Sequence, residues 1–350
     1  RDQKTTIDGM LNAIKEGRIG GKVYFANPHG VVVGPSGKVN VGSLHVSTPS
    51  QRFVDDFFDA PGGAEASAAA LVEGRAPRNT AAEIRIDGEV NATDQVGLSA
   101  GSITVGGKVL SGAKFAGGAP DFSDVVNVHG LATGGAVVEN QGRIEIVGDS
   151  GIELTGTVSS RRVNVGDDAS LRSGVSIAAS GDIALRAPTI RIGSGGKLLA
   201  AGSDTHAGGD VTLQAQAVGG TLDALSDTAA RIEASGATLT GRDLHLQASA
   251  EHRSTLAPLV TKTTSATIEV DGSTLEASGR ATLEATATAA IATPDVVPLA
   301  VVDVDVAASV RVQGDTRITS AGPARLGATT TTTIDARPGL PDLGALPADA

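Results

Sequence analysis

The sequence predicts an all-β protein: a right-handed parallel β-helix with a short helical insertion and some strands outside the coil. Three observations carry this. Short β-branched runs alternate with breaks of Gly, Pro, Asp and Ser along most of the chain, the pattern of strands joined by tight turns. A unit recurs at loose spacing, as solenoid coils do: Ile7-Asp8-Gly9-Met10-Leu11-Asn12-Ala13 returns as Ile86-Asp87-Gly88-Glu89-Val90-Asn91-Ala92. Finally, 350 residues include one Tyr, six Phe and no Trp, and no aromatic residue follows Phe122. A core built from Val, Ile, Leu and Ala suits thin stacked ladders better than a wide sandwich or barrel interior. At roughly 20–25 residues per coil, about a dozen coils rising ~4.8 Å each make a rod about 60 Å long.

Residues 5–18 carry Ile7, Leu11 and Ile14 at helical spacing, yet the recurring Asp-Gly between apolar pairs favours strand-turn-strand over 5–14. Weaker echoes of the unit start at Val128 and Val270. Residues 19–47 hold three apolar runs, 22–25, 31–33 and 38–46, broken by Asn27-Pro28-His29-Gly30 and Gly34-Pro35-Ser36-Gly37. Residues 48–82 differ. Phe53, Phe57 and Phe58 are spaced for one face of an amphipathic helix over 51–59, with Asp55, Asp56 and Asp59 opposite. After Pro61-Gly62-Gly63, the Ala-rich run 64–73 is helical by propensity, and Gly74 caps it. We expect this insertion to pack its three Phe side chains on the β body.

From residue 83 onward short alternating segments dominate: 83–86, 102–105, 125–128, 143–147, 151–154, 162–165, 174–178, 182–185, 189–192, 210–213, 243–247 and 280–285. No helix-length periodicity follows residue 75, which excludes βαβ folds. Long Ala/Thr or β-branched runs at 255–266 and 287–312 read as extended strands leaving the coil and pairing with each other. Residues 1–122 form the first domain, with the insert at 48–82; 123–335 form a β-helical shaft and 336–350 a tail.

Asp plus Glu outnumber Lys plus Arg by 39 to 28, a net charge of −11. Such a chain repels nucleic acid and anionic membrane, so neither is an expected partner. Without Cys there is no disulfide or thiol chemistry, and no stretch approaches about 18 uninterrupted apolar residues. The opening Arg1-Asp2-Gln3-Lys4 has no initiator Met and reads as a fragment or processed form.

Enzymatic chemistry finds little support. A glycan-cleaving β-helix needs paired carboxylates. Asp167/Asp168 sit in a turn where Asp is simply a good turn residue, and Asp303/Asp305 share a strand face that reads as solvent-facing. His29, His45, His129, His206, His245 and His252 lack ligand spacing, so no metal or cofactor is expected. Gly208-Gly209-Asp210 starts like a calcium nonapeptide that does not recur. Gly20-Gly21 and Gly106-Gly107 are turns with no helix after them. The run 329–333, all Thr, reads as an exposed strand.

One stretch carries a resemblance. Asn27-Pro28-His29-Gly30, the apolar run Val31-Val32-Val33, Gly34, and then Val39-Asn40-Val41-Gly42 resemble the secretion domain of two-partner-secretion exoproteins, the filamentous haemagglutinin-like adhesins of Gram-negative bacteria. His29 stands where the family motif has Asn. The 7–13 unit, the Gly20-Gly21-Lys22-Val23-Tyr24-Phe25 approach and the helical insert rejoining at 84–92 look like the large filamentous or leukotoxin-type adhesins. A second family motif, Asn-Pro-Asn-Leu, is absent. The resemblance covers about 90 residues. It implies a secreted, cell-surface adhesin exported by an outer-membrane transporter, with Val39, Asn40, Val41 and Gly42 as a fold-nucleating strand. The turn at Asn27–Gly30 either shapes a coil or contacts that transporter. The ligand would be a host receptor or a biofilm polysaccharide. The alternatives are a polysaccharide-binding matrix module and a polysaccharide lyase.

Overall fold

The computed structural model describes residues 3–59, 63–72, 76–114, 137–138, 143–167, 170–174, 176–179, 181–200, 208–220, 227–254, 262–293 and 304–336. Twenty-six strands belong to one sheet that winds as a parallel β-helix with three walls. On the first wall, nine parallel pairings link ten passes, from Thr5–Ile7 to Val304–Gln313. The ten described rungs span about 45 Å, against the dozen coils and about 60 Å expected from the sequence. A bare coil is also shorter, because Ile152, Leu171 and Ile190 stack at 19-residue intervals. Between the second and third coils the chain is spent on the helical insertion instead.

Alternation makes the walls work. Every second residue points inward and meets its like one rung away. The second wall stacks Leu11, Val39, Val90, Val109, Val158 and Ile177. Leu11 packs against, and the other five belong to, one core that runs from Val31 to Ala287. Removing one such side chain, Ile to Ala, costs about 2–5 kcal/mol.

Asp-Gly and Gly-Gly corners lie between the first and second walls. Glu89, Lys108 and Thr157 donate their N–H to the carbonyls of Gly37, Gly88 and Gly107 at 2.8–2.9 Å. A Cβ on Gly88, Gly107 or Gly156 would overlap the glycine carbonyl one rung below. The Ile7 and Ile86 units therefore recur because they turn the same corner, with Val33 between them.

Strands agree with the sequence reading at Thr189–Ile192 and Glu83–Ile86; the 174–178 segment starts at Ser176, and others fall within much longer strands, 102–105 in Glu89–Val105, 143–147 and 151–154 in Arg143–Leu154, 243–247 in Leu244–Ser254 and 280–285 in Ala281–Thr293. Segment 125–128, the echo at Val128, residues 255–261 of the 255–266 run, residues 294–303 of the 287–312 run and residues 337–350 lie outside the described residues. Among the described residues, the strands outside the coil are two small antiparallel pairs, Ile14–Lys15 with Arg18–Ile19 and Ala113–Lys114 with Val137–Val138.

Two expectations need correction. Lys262–Asp271 and Val304–Gln313 do pair with each other, but they remain in the coil. From Val211–Gly219 onward each coil lengthens into a flange, where Ala215, Ala248 and Ala285 stack on one layer and Ala230 and Ala266 on the other. Alanine lets two β-layers approach closely, so the Ala runs belong to the interior. The Phe stripe also behaves differently. Helix α1 (Gln51–Asp59) packs on α2 (Gly63–Val72), and α1 buries no residue. Phe57 and Phe58 meet edge to face at 5.0 Å, and Phe58 is 71% exposed.

Candidate functional site

The Asn27–Gly30 turn leads from the third wall of the first coil to the first wall of the second. Pro28 fixes its backbone, and Gly30 adopts φ +111°. A Cβ on Gly30 would also stand 2.5 Å from the Glu83 carbonyl oxygen, so both conformation and space demand glycine. Asn27 is the hub. Its Nδ2 donates to the Gln3 carbonyl at 3.0 Å and to Thr5 Oγ1 at 2.9 Å, while its Oδ1 accepts from the His29 N–H at 2.8 Å. Its backbone N–H reaches the Ser47 carbonyl at 3.1 Å. Asn79, on the far side of the insertion, donates Nδ2 to the Pro28 carbonyl at 2.8 Å. Thus one turn ties the start of the chain, the second coil and the return from the insertion. Pro28 and Gly30 are buried and His29 is half-buried.

The 39–42 motif lies within Lys38–Ser47, which makes two walls in one strand. Val39 and Val41 point inward and are fully buried. Asn40 is also 0% exposed, and it forms the middle of an amide ladder. It donates Nδ2 to Asn12 Oδ1 at 2.8 Å and accepts at Oδ1 from Asn91 Nδ2 at 3.0 Å. Here the Asn of the recurring unit finds its purpose. Gly42 turns the corner to the third wall, where a Cβ would overlap Gly21.

Charge is arranged by the same register. Lys38, Glu89 and Lys108 stack on one column. Glu89 meets Lys38 Nζ at 3.0 Å and Lys108 Nζ at 3.6 Å. The hydrogen bond from Lys38 holds the Glu89 carboxyl below its ordinary range, with burial opposing and Lys108 assisting. His45 stacks on Tyr24 at 4.8 Å, and burial, then Lys22, lower its pKa against the opposing pull of Asp94 and Glu145.

Sequence reasoning brought Asn27 and Asn40 to attention but missed Asn79, Arg78 and Asp149. Arg78 forms a bidentate ion pair with Asp149, with Nε at 2.7 Å from Oδ2, and so fastens the returning insertion to a later coil. The resumption of the unit at Ile86 was the one signal that the chain re-enters the stack there. Among the other candidates, Asp168, Asp303, His129 and His206 lie outside the described residues. Asp305 is exposed beside Thr263, and residues 329–333 are exposed within Ala324–Ala336. No group of three or more His, Cys, Asp or Glu is placed to hold a metal among the described residues.

The first coils of this β-helix are tied by such a turn and joined by an Asn ladder. The family model for the TPS secretion domain matches residues 2–199, and the chain belongs to that family. It is a two-partner-secretion protein, a family whose members pass the outer membrane with a dedicated transporter. The matched span runs beyond the first coils into those of the following rod. No curated protein and no solved structure matches the chain.

Proposed function

We propose that this chain is the secretion and fold-nucleating part of a secreted cell-surface adhesin, exported through its outer-membrane transporter, with the following coils as the start of a rod for adhesion or biofilm. Its role is structural: each coil, once formed, offers a row of backbone N–H and C=O groups on which the next one closes. The observation that carries the reading is the Asn27 turn. Its side chain bridges to Gln3 and Thr5, its backbone to Ser47, and Asn79 binds the same turn from across the insertion. Because these groups are engaged within the molecule, the motif serves export by closing the first coils, not as an exposed handle.

The test is export. The chain, placed behind a secretory leader, is expressed with and without its cognate transporter, and the medium is assayed. Transporter-dependent secretion that drops in Asn27→Ala is expected. Equal release without the transporter would overturn the reading.

A further inference from the structure

A groove of about 280 Å³ opens on the outer side of the third wall, under the edge of the insertion. It crosses four rungs, since Tyr24, His45, Gly97 and Glu145 occupy successive positions of one column. Its floor is made deep by small residues, Ala26, Ser47, Gly97 and Ser99. Tyr24 and His45 stack in parallel at one end, their planes 10° apart, and Gly97 lets the His45 ring lean over it. Leu71, Ala76 and Arg78 overhang the floor from the insertion. The Arg78–Asp149 pair pins that overhang in place.

We propose that this groove binds a neutral saccharide unit, one or two pyranose rings lying along the rod axis. The chemistry matches a ring with apolar C–H faces and hydroxyls at its rim. Tyr24, 40% exposed, and Leu71 supply apolar surface. The Ser47 hydroxyl on one rung, and the Gln95 amide and Ser99 hydroxyl on the next, supply hydrogen-bond partners. An extended β-linked glycan advances by close to one rung per residue, so its polar groups keep step with the wall. The volume lies at the small end of ligand pockets, which sets the limit at a disaccharide.

Two other occupants fit poorly. An added peptide strand needs a free sheet edge, but this floor is a sheet face whose strands are already paired rung to rung. An anion needs an available cation. Arg78, the arginine of the groove lining, is held by Asp149, and the lining also carries the Glu145 carboxylate.

The proposal gives a ligand class to the adhesive role proposed above and rests on it only in that respect. The experiment is saturation-transfer NMR on the full chain with cellobiose, N,N′-diacetylchitobiose and digalacturonate. We expect millimolar binding of a neutral disaccharide and none of digalacturonate. Tyr24→Ala and Ser99→Gln should each weaken binding about tenfold or more. Ser99→Gln leaves the Tyr24–His45 stack untouched and serves if Tyr24→Ala misfolds by circular dichroism. Failure of both neutral sugars to bind, binding unchanged in the folded variants, or preference for digalacturonate overturns the proposal. Export should survive Ser99→Gln, so loss of sugar binding and loss of secretion are separable results.

Discussion

Replacing Asn40 by Ala tests the ladder that joins the first three coils. Two hydrogen bonds disappear, the 2.8 Å donation to Asn12 and the 3.0 Å bond from Asn91. The two ends respond differently. Asn12 is only half-buried, so water replaces its lost partner, whereas Asn91 is 4% exposed and its amide donor is stranded. At about 1 kcal/mol for the net hydrogen bond to Asn12 and about 1–3 kcal/mol for the stranded Asn91 donor, the loss is about 2–4 kcal/mol. The paired replacement Asn40→Ala with Asn91→Ala removes the stranded group as well. It should cost less than the sum of the single changes, with a coupling of about 1–2 kcal/mol. Because a solenoid transmits stability mainly to neighbouring coils, the readout is local hydrogen exchange beside urea unfolding. Peptides covering 38–47 and 89–99 should exchange faster in Asn40→Ala, while those covering 238–250 stay protected. A change within about 0.5 kcal/mol, or strict additivity of the pair, would refute the ladder argument.

Three further outcomes follow from the same geometry. Gly30→Ala meets both a positive φ and the Glu83 carbonyl, and should cost about 2–4 kcal/mol by chemical denaturation. A cost under about 0.5 kcal/mol would show that the turn relaxes freely. The lowered pKa of Glu89 means the unfolded chain takes up its proton first as acid is added. Its contribution is thus present at pH 7 and lost as pH falls through the carboxylate range. Lys38→Met should lower stability at pH 7 by less than about 1 kcal/mol, since the Glu89 side chain is 35% exposed, and the difference should vanish in acid. His45, a base with a lowered pKa, likewise makes the fold less stable as pH falls below 6.5. Its imidazole should titrate below 6.5 by NMR, and Lys22→Gln should move the midpoint upward; an unmoved midpoint would remove Lys22 as a cause.

What the sequence disclosed follows from the range of the forces involved. Corners at Asp8-Gly9 and Asp87-Gly88, and the turn at Asn27–Gly30, are set by local backbone chemistry and are visible as short motifs. The two insertion helices were legible for the same reason, from spacing and alanine content. Their packing was not: whether Phe58 faces the rod or solvent depends on how the insertion leaves at Thr48 and returns at Asn79, through bonds that local sequence does not encode. The flange was misjudged because Ala and Thr runs look the same on an outer strand and in a thin two-layer interior. For the site, Asn40 was found within its motif, yet its ladder needed Asn12 and Asn91 brought into register. Asn79, far along the chain and without a local motif, became legible only when the coils were closed.

The most direct test of the central claim compares export with refolding across Asn27→Ala, Gly30→Ala and Asn40→Ala, using one cognate transporter. If the motif acts by closing the first coils, secretion and refolding rate fall together across the series. An Asn27→Ala chain that refolds and resists urea like the wild type, yet is no longer secreted, would contradict the account and make the turn a surface read by the transporter.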